Sequence, residues 1–316
     1  MALSLGAQGI SYLEGQQWEA SVSYRYLTAE SVFSGDRELT AFRNNPGSEI
    51  HSVDLTATYA LNTRFSLSLT IPFVHAEHTS NLEHDGVHTH TTSAGGLGDV
   101  RLVGNVWLFD PQKHPEQNVA IGVGVKAPTG DHRATDIFYR ANGPEIHHVV
   151  PATQPGDGGW GVMLELQAYK QLSENTYAYA NGFYLISPRN QNGTEFLAPL
   201  YGATRYHSVP DQYLARAGLA YLIWPKAGLS LSLGGRIDGI PVHDLIGGSD
   251  GFRNPGFSVD IDPGLQVTRG KNTFTLSAPV KVYGEVLASV LDRQSNAAGF
   301  GGLADFLIFA SYTRRF

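Results

Sequence analysis

Along almost the whole chain, apolar and polar residues alternate with a period of two. The clearest run sets Phe65, Leu67, Leu69, Ile71 and Phe73 against Ser66, Ser68, Thr70 and Pro72. A second sets Phe274, Leu276, Ala278, Val280 and Val282 against Thr273, Thr275, Ser277, Pro279, Lys281 and Tyr283. Side chains on an extended strand point alternately to its two faces, so each run describes a strand with one apolar and one polar side. Read in this way, the chain predicts twelve strands, near 17–29, 50–61, 64–74, 97–109, 118–130, 160–172, 176–186, 212–223, 228–238, 256–268, 273–285 and 303–316.

Strands of soluble proteins usually run for about 5–6 residues, whereas one that crosses a bilayer at a tilt needs about 9–11. Most of the predicted strands have the second length. Their connections alternate too. Short ones fall at Asn62-Thr63, Asp110 to Gln117, Ser173 to Asn175, Pro225 to Ala227 and Arg269 to Asn272. Long ones, rich in Gly, Asn, Asp, Pro and His, occupy 30–49, 75–96, 131–159, 187–211, 239–255 and 286–302. Short periplasmic turns and long extracellular loops are the pattern of bacterial outer-membrane barrels, and here it puts both termini on the periplasmic side.

Hydrocarbon offers no water to backbone N–H and C=O groups, so strands can span it only if the sheet closes on itself. The expected fold is therefore all-β: a closed antiparallel transmembrane β-barrel of about twelve strands over 17–316, preceded by a segment, 1–16, that lies in the periplasm or plugs the lumen. Lipid would face Ala20, Val22 and Tyr24; Val53, Leu55 and Ala57; Val100, Leu102 and Val106; Val119, Ile121, Val123 and Val125; and Val162, Leu164 and Leu166. The opposite faces carry Arg25, Asp54, Asp99, Arg101, Asn105, Lys126, Glu165, Gln167, Arg216, Arg236, Asp238, Asp260, Asp262, Lys281 and Glu285, which are expected to line the lumen.

Two strands are less clean. In 176–186, Tyr177, Tyr179 and Phe183 compete with Ala178, Ala180 and Tyr184 for the lipid side, and in the last strand Leu307 and Phe309 make the inner face partly apolar. Aromatics gather near strand ends, as interfacial girdles require. Trp18, Tyr59, Phe65, Trp107, Phe109, Tyr221, Trp224 and Phe274 fall near the short turns, and Tyr26, Phe73, Trp160, Tyr184, Tyr213 and Phe257 near the long loops. Trp107, with Met163, also fits an inward position against an apolar solute or plug. A soluble sandwich or lipocalin-like barrel would alternate as well, but would scatter Lys and Glu over its outer face and use shorter strands.

Composition narrows the chemistry. The 316 residues include 36 Gly, 15 Tyr, 15 Phe and no Cys, with 16% charged. Absence of cysteine excludes disulfides, thiolate nucleophiles and Cys-ligated metal centres. The net charge of -7 is spread along the chain and no Lys/Arg-rich run occurs, which argues against nucleic acid as a partner. No apolar stretch approaches the roughly 18 residues of a membrane helix. Met1 to Gly15 lacks the basic and long apolar regions of a secretory signal, so the chain is expected to be a processed or recombinant form.

Residues 96–109, GLGDVRLVGNVWLF, followed by 119–132, VAIGVGVKAPTGDH, resemble a family of outer-membrane proteins described as transporters of the MetA pathway of phenol degradation. The alternating C-terminal strand Phe306, Ile308, Ala310, Tyr312 and Phe316 resembles the sorting signal of outer-membrane proteins. The resemblance implies a barrel that takes up aromatic or other small organic compounds.

Within the two-strand motif, a turn centred near Lys113 places Arg101 opposite Lys126, with Asp99 one step toward the exterior; such inward charges either brace the wall or select solutes. Loop 75–96 holds His75, His78, His84, His88 and His90 among Glu77, Glu83 and Asp85, ligands that suit zinc, copper or nickel, yet their spacing matches no fixed metal motif. His147-His148 joins them only if the loops converge. His51-Ser52 and His207-Ser208 are the nearest approach to a nucleophile with its base, but neighbours on a strand point to opposite faces. The glycines of GVGVK and GLGD precede no helix and no Lys-Ser/Thr, so they are read as permitting bending or close packing. The expectation is a channel or transporter for small molecules, not an enzyme, with no cofactor, and with outer-membrane lipid and a small solute as partners. A structural barrel with a closed lumen and a lipid-acting enzyme are the alternatives.

Overall fold

The computed structural model describes residues 13–43, 45–198 and 203–316. Most of the predicted plug, 1–12, lies outside them. Twelve antiparallel strands form the wall: β1 (Trp18–Ala29), β2 (Gly47–Ala60), β3 (Phe65–Ser80), β4 (Arg101–Trp107), β5 (Gln117–Lys126), β6 (Gly161–Ser173), β7 (Thr176–Ile186), β8 (Gln212–Trp224), β9 (Leu229–Ile240), β10 (Gly256–Arg269), β11 (Asn272–Ser277) and β12 (Phe306–Arg315). Each pairs with its neighbour in sequence, and β12 pairs with β1 through Tyr24↔Ala310, which closes the ring.

Two predicted strands depart from their expected bounds: 97–109 enters the ladder as β4 only from Arg101, and the expected loop 75–96 instead holds the end of β3, residues 75–80, and a further strand, His90–Leu97. His90–Leu97 continues the line of β4 and pairs with the outer half of β3, but the chain leaves the ladder at Gly98 to Val100. There a side chain at Gly98 would collide with Pro72. The predicted strand 273–285 is interrupted at Ala278-Pro279, where proline has no N–H for the ladder. Beyond it Val280–Val286 pairs with β10 alone, and β12 pairs only with β11 on that side, up to Ser277↔Phe309. The edges there are joined by Lys281 Nζ donating to Asp305 Oδ1 at 2.9 Å and by a bridge between Gly35 and Val286.

The long loops are not irregular. Ser31–Ser34 pairs with Arg37–Glu38 and Gly301–Leu303, Thr135–Arg140 forms a hairpin with Gly143–His148, and Gln191–Ala198 pairs with Ala203–Ser208. Backbone at the mouth is thereby satisfied locally.

Burial follows the alternation. Val22, Leu55, Leu69, Leu102, Val123, Leu166 and Leu233 are exposed on the outer face, where in water they would be a large apolar liability. Several of their inward neighbours, such as Ser21, Asp54 and Arg101, are buried and polar, while others, such as Ser68, Glu165 and Gln167, are half-buried. On β7, Phe183 and Leu185 are buried and Tyr179 lies beneath the Arg216 guanidinium, so the larger set of side chains on this strand points inward. Trp107 is not a girdle residue: it is buried, edge-on to Tyr169 at 5.8 Å between ring centroids. Leu307 and Phe309 are buried as well.

Candidate functional site

The barrel interior is built in layers. Across its middle, cations and carboxylates meet, some from different strands and some, as with Arg236 and Asp238, from one. Arg101 Nη2 donates to Asp54 Oδ2 at 2.5 Å, Arg236 Nε to Asp238 Oδ1 at 2.7 Å, and Arg216 Nε lies 3.3 Å from Asp262 Oδ2. Arg25 Nε donates to Ser52 Oγ at 3.1 Å, Ser258 to Asp260 and Ser277 to Asp262. The Arg236 guanidinium also covers the Phe309 ring, 4.8 Å from its centroid. Glu165 and Gln167 are half-buried on the same inner face of β6.

Beside this belt lies an apolar patch of Val103, Met163, Phe183, Leu185 and Leu214, drawn from β4, β6, β7 and β8. The glycines of β5 make it possible. Gly124 sits between Val103 and Met163 in register, and Gly122 between Asn105 and Glu165, so the flanking side chains close over the strand. A Cβ on Gly124 would come 2.5 Å from Leu102 O and 2.7 Å from a Val103 methyl.

At the outer end of this patch Lys126 stands opposite Arg101 on the hairpin, as the turn position implies. The two like charges do not contact each other's partners. Lys126 Nζ, with its side chain 2% exposed, donates to Asp99 Oδ2 at 3.1 Å and to the carboxylate of Asp157, a residue of the loop between β5 and β6. Sequence reasoning missed Asp157. Its signal was available: Val149, Val150, Pro151 and Ala152 are an apolar run inside a loop that is otherwise polar.

That run folds inward. Val149, Thr153 and Gln154 are buried, and the turn Pro151–Thr153 packs on β2, β3 and the His90–Leu97 strand. Between this segment and the far wall is a cavity of about 330 Å³. Its surface is mostly apolar, from Leu27, Ile50, Val150, Pro151, Ile240 and Phe252, with His207 and Gln212 among its polar members. Burial, with the charges of His148 and His132 adding to it, pushes His207 down to about 3, so its imidazole is neutral at ordinary pH. Arg253, buried nearby, donates to both oxygens of Asp244 and to Ser208 Oγ.

Glu285 departs from the expected set. The register shifts between Val259 and Asp260, so Lys281 still opposes Asp260 on the inner side, but beyond the bulge Glu285 opposes Phe257 and points outward, accepting from Tyr283 Oη at 3.1 Å. An extra residue on one strand reverses the parity of everything after it.

The histidines of loop 75–96 are divided among separate partners. His75 faces outward near Glu77, His78 lies 3.6 Å from Glu83, and His88 contacts Asp85 at 2.7 Å. Burial alone would raise Glu83, but the nearby His78 imidazole and Ser80 hydroxyl hold it below the usual carboxylate range. His84 stacks on Phe138 at 5.0 Å and accepts from the Tyr139 N–H at 3.0 Å, while His90 stacks on Tyr139 at 4.3 Å. His147 meets the edge of Phe138. The two loops do converge, through an aromatic stack. Among the described residues, no group of three or more acidic or histidine side chains is arranged to hold a metal. His51 bonds to Tyr24 and Glu49 outside the wall while Ser52 bonds to Arg25 inside it, so that pair is split by the sheet.

No protein-family model matches the sequence, and no curated protein matches it. Solved structures do match in fold. The COG4313 outer membrane channel from Pseudomonas putida F1 superposes with a TM-score of 0.63 at 16% identity, covering 98% of this chain and 100% of that one. The beta domain of the Bordetella autotransporter BrkA superposes at 0.53 with 10% identity, covering 95% and 100%. Similarity at such identities is one of architecture. A closed ring of twelve antiparallel strands, apolar outside and charged within, makes this chain a bacterial outer-membrane β-barrel.

Proposed function

We propose that the protein is a passive outer-membrane channel for small, uncharged, largely apolar molecules, which enter through the cavity at the extracellular mouth and continue along the inner wall. The observation that carries this reading is the mostly apolar cavity at the mouth, whose Leu27 and Ile50 pack with Val74 and Ala76 into one apolar cluster, together with the second inner apolar patch of Val103, Met163, Phe183, Leu185 and Leu214. Alongside it the inner cations are set against carboxylates, as in Arg101–Asp54, Arg216–Asp262 and Arg236–Asp238. A wall whose charges are compensated locally offers little field to a free ion, whereas a channel that selects by sign presents a ring of one sign. The lumen-lining role is assigned to Arg25, Asp54, Asp99, Arg101, Asn105, Lys126, Glu165, Gln167, Arg216, Arg236, Asp238, Asp260 and Lys281.

The test is uptake of radiolabelled cyclohexanol by cells that produce the protein and by cells that lack it, with glucose and glutamate as references. Faster entry of cyclohexanol with unchanged glutamate entry supports the reading. Equal cyclohexanol rates in both strains defeat it and favour a barrel whose role is structural.

A further inference from the structure

We propose that Lys126 is a positioning residue that clasps the inward-folded segment 149–157 against the barrel wall, and that solute passage requires this clasp to open. The inference rests on the channel reading and adds the step that controls it.

The segment has the build of a strap. Its body is held together by Gln154 Nε2 donating to Val149 O at 3.1 Å and Thr153 Oγ1 donating to Val150 O at 2.9 Å, and Gln154 also ties it to the preceding chain by donating to Ala134 O at 3.1 Å. At its neck, Gly130 and Gly156 approach so closely that a Cβ on Gly130 would lie 2.7 Å from Gly156 Cα. Only glycine fits there, and glycine also leaves a backbone able to turn.

A further attachment is ionic. Asp99, in the break of the ladder just before β4, accepts from Lys126 Nζ at 3.1 Å, from Gly130 N at 3.0 Å and from Asp157 N at 3.2 Å. Lys126 also donates to the Asp157 carboxylate on the strap. Two carboxylates therefore share one ammonium, all three largely withdrawn from solvent. Without the ammonium, Asp99 and Asp157 would face each other as buried like charges, an arrangement that separates or protonates. Lys126 is fixed by the ladder of β5, and Asp99 is fixed by its neighbours, Gly98 N donating to Pro72 O and Val100 O accepting from Ala127 N, both at 2.8 Å, so the strap is what moves. The next loop is tied to the same place by Asn192 Nδ2 donating to Asp157 O at 3.0 Å and by Arg189 Nη1 donating to Gly158 O at 2.6 Å. Release of Asp157 would loosen two loops at once, on the side of the cavity that the strap forms.

A lysine that merely braces the wall, or that acts on ions by its own charge, would not depend on the strap, and this separates the explanations. Single-channel current in KCl is measured for the intact chain, for Lys126→Met, for a chain whose residues 149–156 are replaced by a Gly/Ser linker of equal length, and for the combination. Lys126→Met is expected to raise the open fraction about tenfold, within the range of ordinary coupling energies, and to have no further effect in the linker background. Lys126→Arg, which keeps the charge, should stay close to the parent. Should Lys126→Met fail to fold by its electrophoretic mobility, Asp157→Asn is expected to shift current in the same direction. An unchanged current in Lys126→Met beside a conducting linker chain overturns the clasp alone, as does a Lys126→Met effect that persists without the strap. If no form conducts and cyclohexanol uptake is also absent, the channel reading falls with it.

Discussion

Arg101 and Asp54 meet across a strand that belongs to neither of them. Asp54 on β2 lies opposite Pro72, and Arg101 on β4 opposite Thr70, so the 2.5 Å hydrogen bond between them runs over the inner face of β3. Both side chains are buried, and the pair ties together three strands whose ladder bonds act only between neighbours. A buried pair of this kind adds little over an apolar replacement of both partners, but breaking it strands a charge.

Asp54→Asn is accordingly expected to destabilise the barrel by about 3–5 kcal/mol, because Arg101 loses its carboxylate while Arg25 stays buried beside it. The double variant Asp54→Leu with Arg101→Met should recover most of that loss, since no uncompensated charge remains. Equilibrium unfolding in urea from lipid vesicles measures both. Additive losses in the double variant would mean that the two residues do not act as a pair.

The relationship also shows where the sequence was legible. The hairpin turn centred near Lys113 was enough to set Arg101 opposite Lys126, because register is a property of local chain length. Which carboxylate each cation takes was not legible. Asp54 is two strands beyond the hairpin and Asp157 lies in a loop that turns back into the barrel, and neither placement follows from period-two alternation. Glu285 was misassigned for a related reason: a bulge reverses the parity of a strand without altering its composition. Trp107 was read both ways because a tryptophan near a short turn suits a girdle and an inner wall equally, and only its packing on Tyr169 decides. The twelve strands of the wall were legible, since both faces of a membrane barrel are defined by strong and opposite solvents, whereas their outer ends, as at residues 75–80 and 90–100, were not.

Val123 tests the outer solvent directly. It is 56% exposed, near the middle of β5. Val123→Arg should cost about 2–4 kcal/mol if the residue faces the bilayer midplane, and close to nothing if it faces water. The measurement is the same vesicle unfolding equilibrium, with Lys113→Ala in the exposed turn as the reference expected to be neutral.

Phe138 probes how the mouth is held. Its ring takes His84 on one face and the His147 side chain on its edge, joining the loop after β3 to the hairpin of 135–148. Phe138→Ala removes a buried aromatic and should cost about 3–5 kcal/mol of local stability, read as faster amide exchange over 81–92 and 135–148. Exchange in β5 and β6 should not change. Spread of the effect into the wall would mean that the loop stack and the barrel form one cooperative unit.

Acidification should open another part of the mouth, and the sign follows from His207. Its pKa in the folded loop is lowered from the ordinary 6.5 to about 3, first by burial and then by His148 and His132. Once the loop opens, the imidazole binds a proton below about pH 6.5; in the closed loop it stays neutral until about pH 3. The closed form is therefore fully stable above that upper value and loses up to about 1.4 kcal/mol per pH unit as the pH falls through the window. The amides that report it are Ser208 N, which donates to Phe252 O at 3.0 Å, and Phe252 N, which donates to Tyr206 O at 2.7 Å. Their protection, corrected for intrinsic exchange, should drop between pH 7 and pH 5 in the parent, and His207→Gln should flatten that dependence. A parent whose protection is constant over this range would show that His207 carries its proton as easily inside the loop as outside it, which would remove the neutral imidazole from the cavity wall.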